Sequence, residues 1–310
     1  MVVTVTPNTA IDITYTIEGF TLDRVHRPSA VRTVAGGKGI NVSRVLATLG
    51  RNAIATGFVG GSTGNAILEK IAGEGLSHDF VRVRGESRLC IAVVDPTRST
   101  QTEVNENGPV IGANEVAAMM DKIVELLPGR QYITLCGSCP PGVPTSFYGD
   151  IIQAARKRGV KAVLDTSGEH LTEALKAKPF MVKPNVAELS QIAGREMLTI
   201  EEIARSAKSL KQFGVSITAV TMGRSGAIAT DGVRTWHATP PEIKFASAVG
   251  SGDAFLAAFL DALMSGLAVP DALVSGTAAG AANATTYGAG FCSEESIMEI
   301  RRGVALSKID

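Results

Sequence analysis

Short apolar runs alternate with stretches of helical periodicity along nearly the whole chain, and this alternation argues for a mainly parallel sheet crossed by helices. Candidate core strands are Val2–Thr6, Ala53–Phe58, Tyr132–Cys136, Ala162–Asp165, Phe180–Lys183, Ile217–Met222 and Gly226–Thr230. Helical stretches at Gly39–Thr48, Ala66–Ala72, Asn114–Leu127, Thr145–Lys157, Ile200–Phe213 and Asp253–Met264 lie between them. No repeat or low-complexity linker interrupts this order, so residues 1–310 read as one α/β domain. Two stretches, about 11–34 and 88–106, break the alternation. There, Ile11–Ile17 with Ala30–Val34 and Cys90–Val94 with Thr100–Val104 read as turn-punctuated strands. A small sheet made of them needs support from the core or from a second copy of itself, which makes it an inserted lid and a dimer contact.

Composition narrows the partners. Of 310 residues, 45% are hydrophobic and 19% charged, enough apolar material for a sheet covered on both faces. Thirty basic residues balance thirty acidic ones, which removes the broad attraction that nucleic acid or an anionic membrane needs. Anion binding is therefore expected to be local. The start, Met1–Thr6, reads as a strand without a basic flank, and no apolar run approaches a membrane span, so a cytoplasmic location is expected. Four cysteines are too few for a disulfide framework. Cys136 and Cys139 have redox-dithiol spacing, but Cys136 ends a strand and Pro140–Pro141–Gly142 follows Cys139, where a reactive pair needs a helix start.

Four segments carry chemistry. In Val249–Gly250–Ser251–Gly252–Asp253 a glycine-rich turn opens a helix whose Phe255, Leu256, Phe259, Leu260 and Leu263 form a buried face. Amides at such an N-terminus hold anions, and Asp253 in the first turn is able to take a proton from an attacking hydroxyl. Asp253 as a mere helix-start residue is the competing reading of the motif alone. Gly36–Gly37–Lys38–Gly39–Ile40–Asn41 also precedes a helix but is no P-loop, since Gly39 stands where Ser or Thr belongs. It offers amides and the Lys38 charge to an oxygen-rich ligand, or simply punctuates a strand-to-helix turn. Lys183–Pro184–Asn185–Val186–Ala187–Glu188 follows a strand; Pro184 at a helix start would put Asn185 and Glu188 on one face, a donor pair suited to Mg²⁺ if Asn185 is not just a cap. Thr221–Gly226 is a tight strand-to-strand turn able to face a nucleotide, and the small-residue helix Ser275–Ala284 suits either a neighbouring helix or a flat adenine ring at Thr277 and Ala281.

Together and in this order, these segments resemble the ribokinase/phosphofructokinase-B family, especially its 1-phosphofructokinase and tagatose-6-phosphate kinase branch. The likeness runs end to end and includes Gly137–Ser138–Cys139–Pro140–Pro141–Gly142, similar to the family's Gly-Ser-Leu-Pro-Pro-Gly turn. It implies a ribokinase-like, Rossmann-like α/β sheet with helices on both faces, a β-sheet lid, ATP and Mg²⁺ as cofactors, and a homodimer through the lid. By this resemblance Asp253 is the catalytic base and Gly250, Ser251 and Gly252 form the anion hole. Asn185 and Glu188 hold Mg²⁺ largely through water, while Lys183, Asn185, Thr221, Gly223 and Gly226 meet the nucleotide. Asp12, Gly37, Asn41 and Ser138 form the sugar pocket, and Lys38, Arg88 and Arg27 are the cations for a phosphate already on the substrate. Gly-Gly-Lys-Gly marks the sugar-phosphate branch, so the expected reaction is ATP-dependent phosphorylation of a ketohexose monophosphate. Fructose 1-phosphate is preferred and tagatose 6-phosphate is the alternative, ahead of 6-phosphofructokinase, a nucleoside kinase or a non-catalytic binding protein. Cys139 for leucine, and Ser247–Ala248 before Val249, are the departures from the family pattern.

Overall fold

The computed structural model describes residues 1–98 and 100–309. Its elements run β1 (Val2–Thr6), β2 (Ala10–Thr16), β3 (Ala30–Gly36), α1 (Lys38–Thr48), β4 (Ala53–Gly60), α2 (Gly61–Gly73), β5 (Val81–Val83), β6 (Arg88–Asp95), β7 (Thr100–Asn105), α3 (Ala113–Leu126), β8 (Tyr132–Cys136) and α4 (Phe147–Arg156). There follow β9 (Lys161–Asp165), α5 (Gly168–Leu175), β10 (Met181–Val182), α6 (Val186–Ala193), α7 (Ile200–Ser209), β11 (Ile217–Thr221), β12 (Ala227–Thr230), β13 (Thr235–Thr239), α8 (Ser251–Met264), α9 (Val269–Ala284), α10 (Glu294–Arg301) and β14 (Ala305–Lys308).

The large sheet has the order β14-β13-β12-β11-β10-β9-β8-β1-β4-β5. From β5 to β11 every pairing is parallel, and the β12–β14 end is antiparallel. Central strands are buried on both faces, and the period of two sends neighbours to different layers. Val3, Val5, Leu135, Leu164 and Val182 pack beneath α3, α4 and α5, whereas Val2, Cys136, Val163 and Met181 pack beneath α1, α8 and α9. The small residues of α9 have two uses. A Cβ on Gly276 would stand 3.0 Å from the Phe255 ring, so this stripe lets α9 lie close on α8. Thr277, Gly280, Ala281 and Ala284 also line the cleft, so the stripe serves both alternatives.

The two irregular stretches form a separate four-stranded sheet, β3-β2-β6-β7. β2 pairs antiparallel with β3 and β6 with β7, and a parallel β2–β6 ladder, with Asp12 opposite Cys90, joins the halves. Its root rests on the core, where Ile11 and Ala35 are buried with Ile40, Val59 and Ile67.

Three expectations need correction. Pro184 lies outside α6, which begins at Val186 with Asn185 as its cap, because the Asn185 side chain accepts from the Glu188 N–H. The Ile200–Phe213 helix is α7 followed by a 3₁₀ turn at Leu210–Phe213. Thr145–Lys157 shortens to α4, after Pro144. The segments forming α5, α6, α10, β13 and β14 are too short or too polar to read by periodicity.

α8 carries the glycine-rich turn, so its anchoring matters most. Phe259 is fully buried, with its ring 5.7 Å from that of Phe255. Phe259→Ala is expected to cost about 3–5 kcal/mol, read as a lower urea midpoint at unchanged slope. A loss under about 1 kcal/mol would show that α8 is not held this way.

Candidate active site

A cleft of about 1150 Å³ opens at the carboxyl edge of the sheet between α8, α9 and the lid. This is where parallel α/β sheets bind ligands, because strand ends and helix N-termini converge there.

Gly250 caps α8 in the left-handed region, at φ 79°, and a Cβ there would lie 2.5 Å from Ala289. Glycine is thus required by both backbone shape and space. Asn283 of α9 clamps the turn, donating to the Val249 carbonyl at 2.7 Å and accepting from the Gly290 N–H at 2.7 Å. Asp253 follows in the first turn of α8, 6% exposed, and accepts from the Asn41 amide at 2.8 Å. Burial, then the nearby Asp165 charge, push its carboxyl up to about 6, against the opposing pull of Lys38, Asn41 and Lys183.

Asp165, at the end of β9, is the charge around which this centre is arranged. Lys38 reaches one of its oxygens at 2.9 Å and Lys183 the other at 3.1 Å. Burial alone would raise this carboxyl, but the two ammonium groups outweigh it and hold it below its ordinary value. Lys38 is driven up in turn, first by Asp165, with Asp253 and Glu188 adding to the effect. Lys38 thus stands among the carboxylates of Asp165, Asp253 and Glu188.

On the lid side, Asp12 of β2 faces the cleft, and a Cβ on Gly36 would fall 2.2 Å from its carboxylate atoms. The missing side chain makes room for Asp12. Burial raises the Asp12 carboxyl to about 6 despite Arg88 and Arg44. Arg88 lines the same end and donates to the carbonyls of Glu106 at 3.1 Å and Asn8 at 3.2 Å. At the opposite end stand Lys183, Asn185, Glu188, Thr221, Gly223, Gly226, Thr277 and Ala281. The Thr277 hydroxyl is buried there without a hydrogen-bond partner.

Nearly all expected site residues thus meet in one cleft, including Gly37, Lys38, Asn41 and the Gly250–Asp253 turn. Two do not line it. Arg27 is exposed in the 17–29 connection of the lid, and Ser138 is exposed and accepts from Asn8 at 3.3 Å. Asn185 and Glu188 form a reciprocal capping box: Asn185 Oδ1 accepts from the Glu188 N–H at 2.9 Å, and Glu188 Oε2 from the Asn185 N–H at 2.8 Å. The capping role is therefore real, and it leaves Glu188 Oε1 for another partner. Cys136 is fully buried, and burial drives its thiol well up and that of Cys139 to about 12, the reverse of what redox chemistry needs.

Sequence reasoning missed Asp165, although a carboxylate closing an apolar strand at the carboxyl edge was a readable signal. Arg32 of β3, Gln101, Glu103 and Asn105 of β7, and the Tyr287–Ala289 loop also line the cleft. No motif marks them, because only chain crossing brings them in.

Residues 4–296 match the pfkB family carbohydrate kinase model. A 1-phosphofructokinase of Rhodobacter capsulatus is 39% identical over 86% of this chain and 84% of its own. A tagatose-6-phosphate kinase of Staphylococcus epidermidis is 33% identical over the full length of both chains. Among solved structures, phosphofructokinase-2 from Escherichia coli in complex with substrates and products superposes with a TM-score of 0.92, at 27% identity over 97% of this chain and 98% of that one. With the match spanning almost the whole chain, the protein belongs to the pfkB family of carbohydrate kinases, ATP-using phosphotransferases that act on an alcohol group.

Proposed function

We propose that this kinase transfers the γ-phosphoryl group of ATP to a primary hydroxyl of fructose 1-phosphate, giving fructose 1,6-bisphosphate. The observation that carries the reading is the buried Asp253 carboxylate, held by Asn41 beside the Gly250–Gly252 turn in a cleft that has Asp12 and Arg88 at its lid end. Asp253 accepts the hydroxyl proton as the hydroxyl oxygen bonds to phosphorus and the bond from phosphorus to the β,γ-bridging oxygen breaks, releasing ADP. First-turn amides of α8 hold the phosphoryl oxygens, and Lys38 and Lys183, steadied by Asp165, offset their charge. Asp12 orients the sugar hydroxyls, and Arg88 is the cation for the phosphate the acceptor already carries.

Asn185 and Glu188 suit Mg²⁺, a hard ion that keeps several waters and takes few protein oxygens. When bound, it neutralises charge on the nucleotide phosphates. Tagatose 6-phosphate is the second reading, favoured by the relative that matches over the full length of both chains. The lid is also the proposed homodimer contact, since its Val31 and Val104 are 56% and 62% exposed. Val104→Arg is expected to shift the protein to monomer in sedimentation, whereas a wild-type monomer would overturn the dimer.

A coupled assay of ADP release with fructose 1-phosphate, tagatose 6-phosphate, fructose 6-phosphate, ribose and adenosine should give the highest kcat/KM with the first. Arg88→Ala should raise the sugar-phosphate KM at least about tenfold while moving that for ATP little. Turnover of none of the sugar phosphates would refute the proposal.

Asp253→Asn should lower kcat by more than about 10³-fold, leave ATP binding intact and keep the Asn41 contact. A protonated Asp253 accepts no proton, so the wild-type single-turnover rate should fall toward acid with a midpoint near 6. The same shift fixes a stability effect. Because the folded pKa lies above the ordinary 3.8, the buried charge penalises folding above about pH 6 and the penalty vanishes as pH falls through 3.8. Asp253→Asn should therefore raise Tm at pH 7.5, with the gain fading between pH 6 and 4; a constant gain would contradict this linkage.

A further inference from the structure

One arginine inside the core has no role in the reading above. Arg44, on α1 and 6% exposed, uses all five of its N–H donors. Its Nε and one terminal nitrogen bond the two oxygens of Glu74 at 2.6 and 3.0 Å. The other donors reach the Ala35 carbonyl at 2.9 Å, the Ala289 carbonyl at 2.9 Å and Asn41 Oδ1 at 2.8 Å. The guanidinium also lies over the Phe291 ring, 4.4 Å from its centroid. It thus joins α1 to the root of the lid strand β3, to the end of α2, and to the loop that abuts Gly250.

The Asn41 contact matters for chemistry. A guanidinium has no acceptor, so Asn41 must turn its oxygen to Arg44 and its NH₂ to Asp253. A flipped amide would set N–H against N–H on one side and oxygen against carboxylate on the other. We propose that Arg44, held by Glu74, is a positioning residue that locks the Asn41 amide in the one orientation that donates to Asp253. This rests on Asp253 being the base. Its consequence is that the carboxylate form of Asp253, the form able to take a proton, is favoured. Asp253 is also faced by Asp165 from β9, Lys38 from α1 and Lys183 after β10, and Arg44 by Glu74, Arg32 and Asp12. A test must leave the charges of Asp165, Lys38 and Lys183 around Asp253 in place and keep the net charge at the Arg44–Glu74 pair unchanged.

Arg44→Met with Glu74→Gln removes both members of the pair at no change in net charge. Single-turnover rates against pH would be measured for wild type, this double variant, Asn41→Ala and the triple variant. In the double variant the acidic limb should move up by about one pH unit, with a rate roughly fivefold lower at pH 6 and about tenfold lower toward pH 5. In the Asn41→Ala background the same two changes should move it no further. Arg44→Lys, which keeps the charge but has three donors, should shift the limb in the same direction and covers the case of a double variant that does not fold. An unmoved limb, or an equal shift with and without Asn41, overturns the proposal, because a purely structural Arg44 would lower Tm and rate without moving the limb through Asn41. An active Asp253→Asn would overturn the base itself; an inactive one alongside unmoved limbs would overturn only the role of Arg44.

Discussion

The centre of this molecule is an electrostatic compromise between two buried carboxylates. Asp165 and Asp253 are both nearly sealed from water, and each disfavours ionisation of the other. Lys38 and Lys183 make the arrangement tenable by closing on Asp165 from two elements, α1 and the segment after β10. The cations go to Asp165, so its carboxyl falls while that of Asp253 rises toward neutrality. Two like groups acquire different properties from their partners alone, which leaves one fixed charge and one group able to take up a proton.

That compromise depends on the sheet. Parallel strands place Asp165, Lys183 and Thr221 at one edge, and the helices that return over both faces bring Lys38, Asn41 and Asp253 to the same edge. α8 can present Asp253 because Phe255 and Phe259 bury its opposite face and Asn283 clamps the turn before it. The lid supplies what the sheet edge lacks, a wall across the cleft carrying Asp12, Arg32, Arg88 and Glu103. Its strand β7 is exposed along its whole length.

Much of this was legible before any coordinates. β1, β8 and the C-terminal ends of α1 and α8 follow from period and apolar runs, and the glycine-rich turns lie along the cleft. Where the reading slipped, the cause is physical. At Pro184 a capping box, a local hydrogen-bond choice, fixed the helix start at Val186, two residues beyond a helix that begins at the proline. Arg27 was assigned with the cations by likeness alone, and its place on an exposed connection keeps it out of the cleft of its own chain. The partner of Lys38 was not legible either: Asp165 lies over a hundred positions away in sequence and is not part of any motif.

By itself the sequence determined the alternating α/β architecture, the inserted lid, the glycine turn before Asp253 and the family, because periodicity and turn chemistry are local and act over a few residues. Only the tertiary structure decided that Asp165 pairs with both lysines, that β2 and β6 run parallel through the lid, and that Arg44 stands behind Asn41. Those contacts join residues that are far apart along the chain. Their energies depend on burial and on which charges share a low-dielectric edge, and neither exists until the layers have packed.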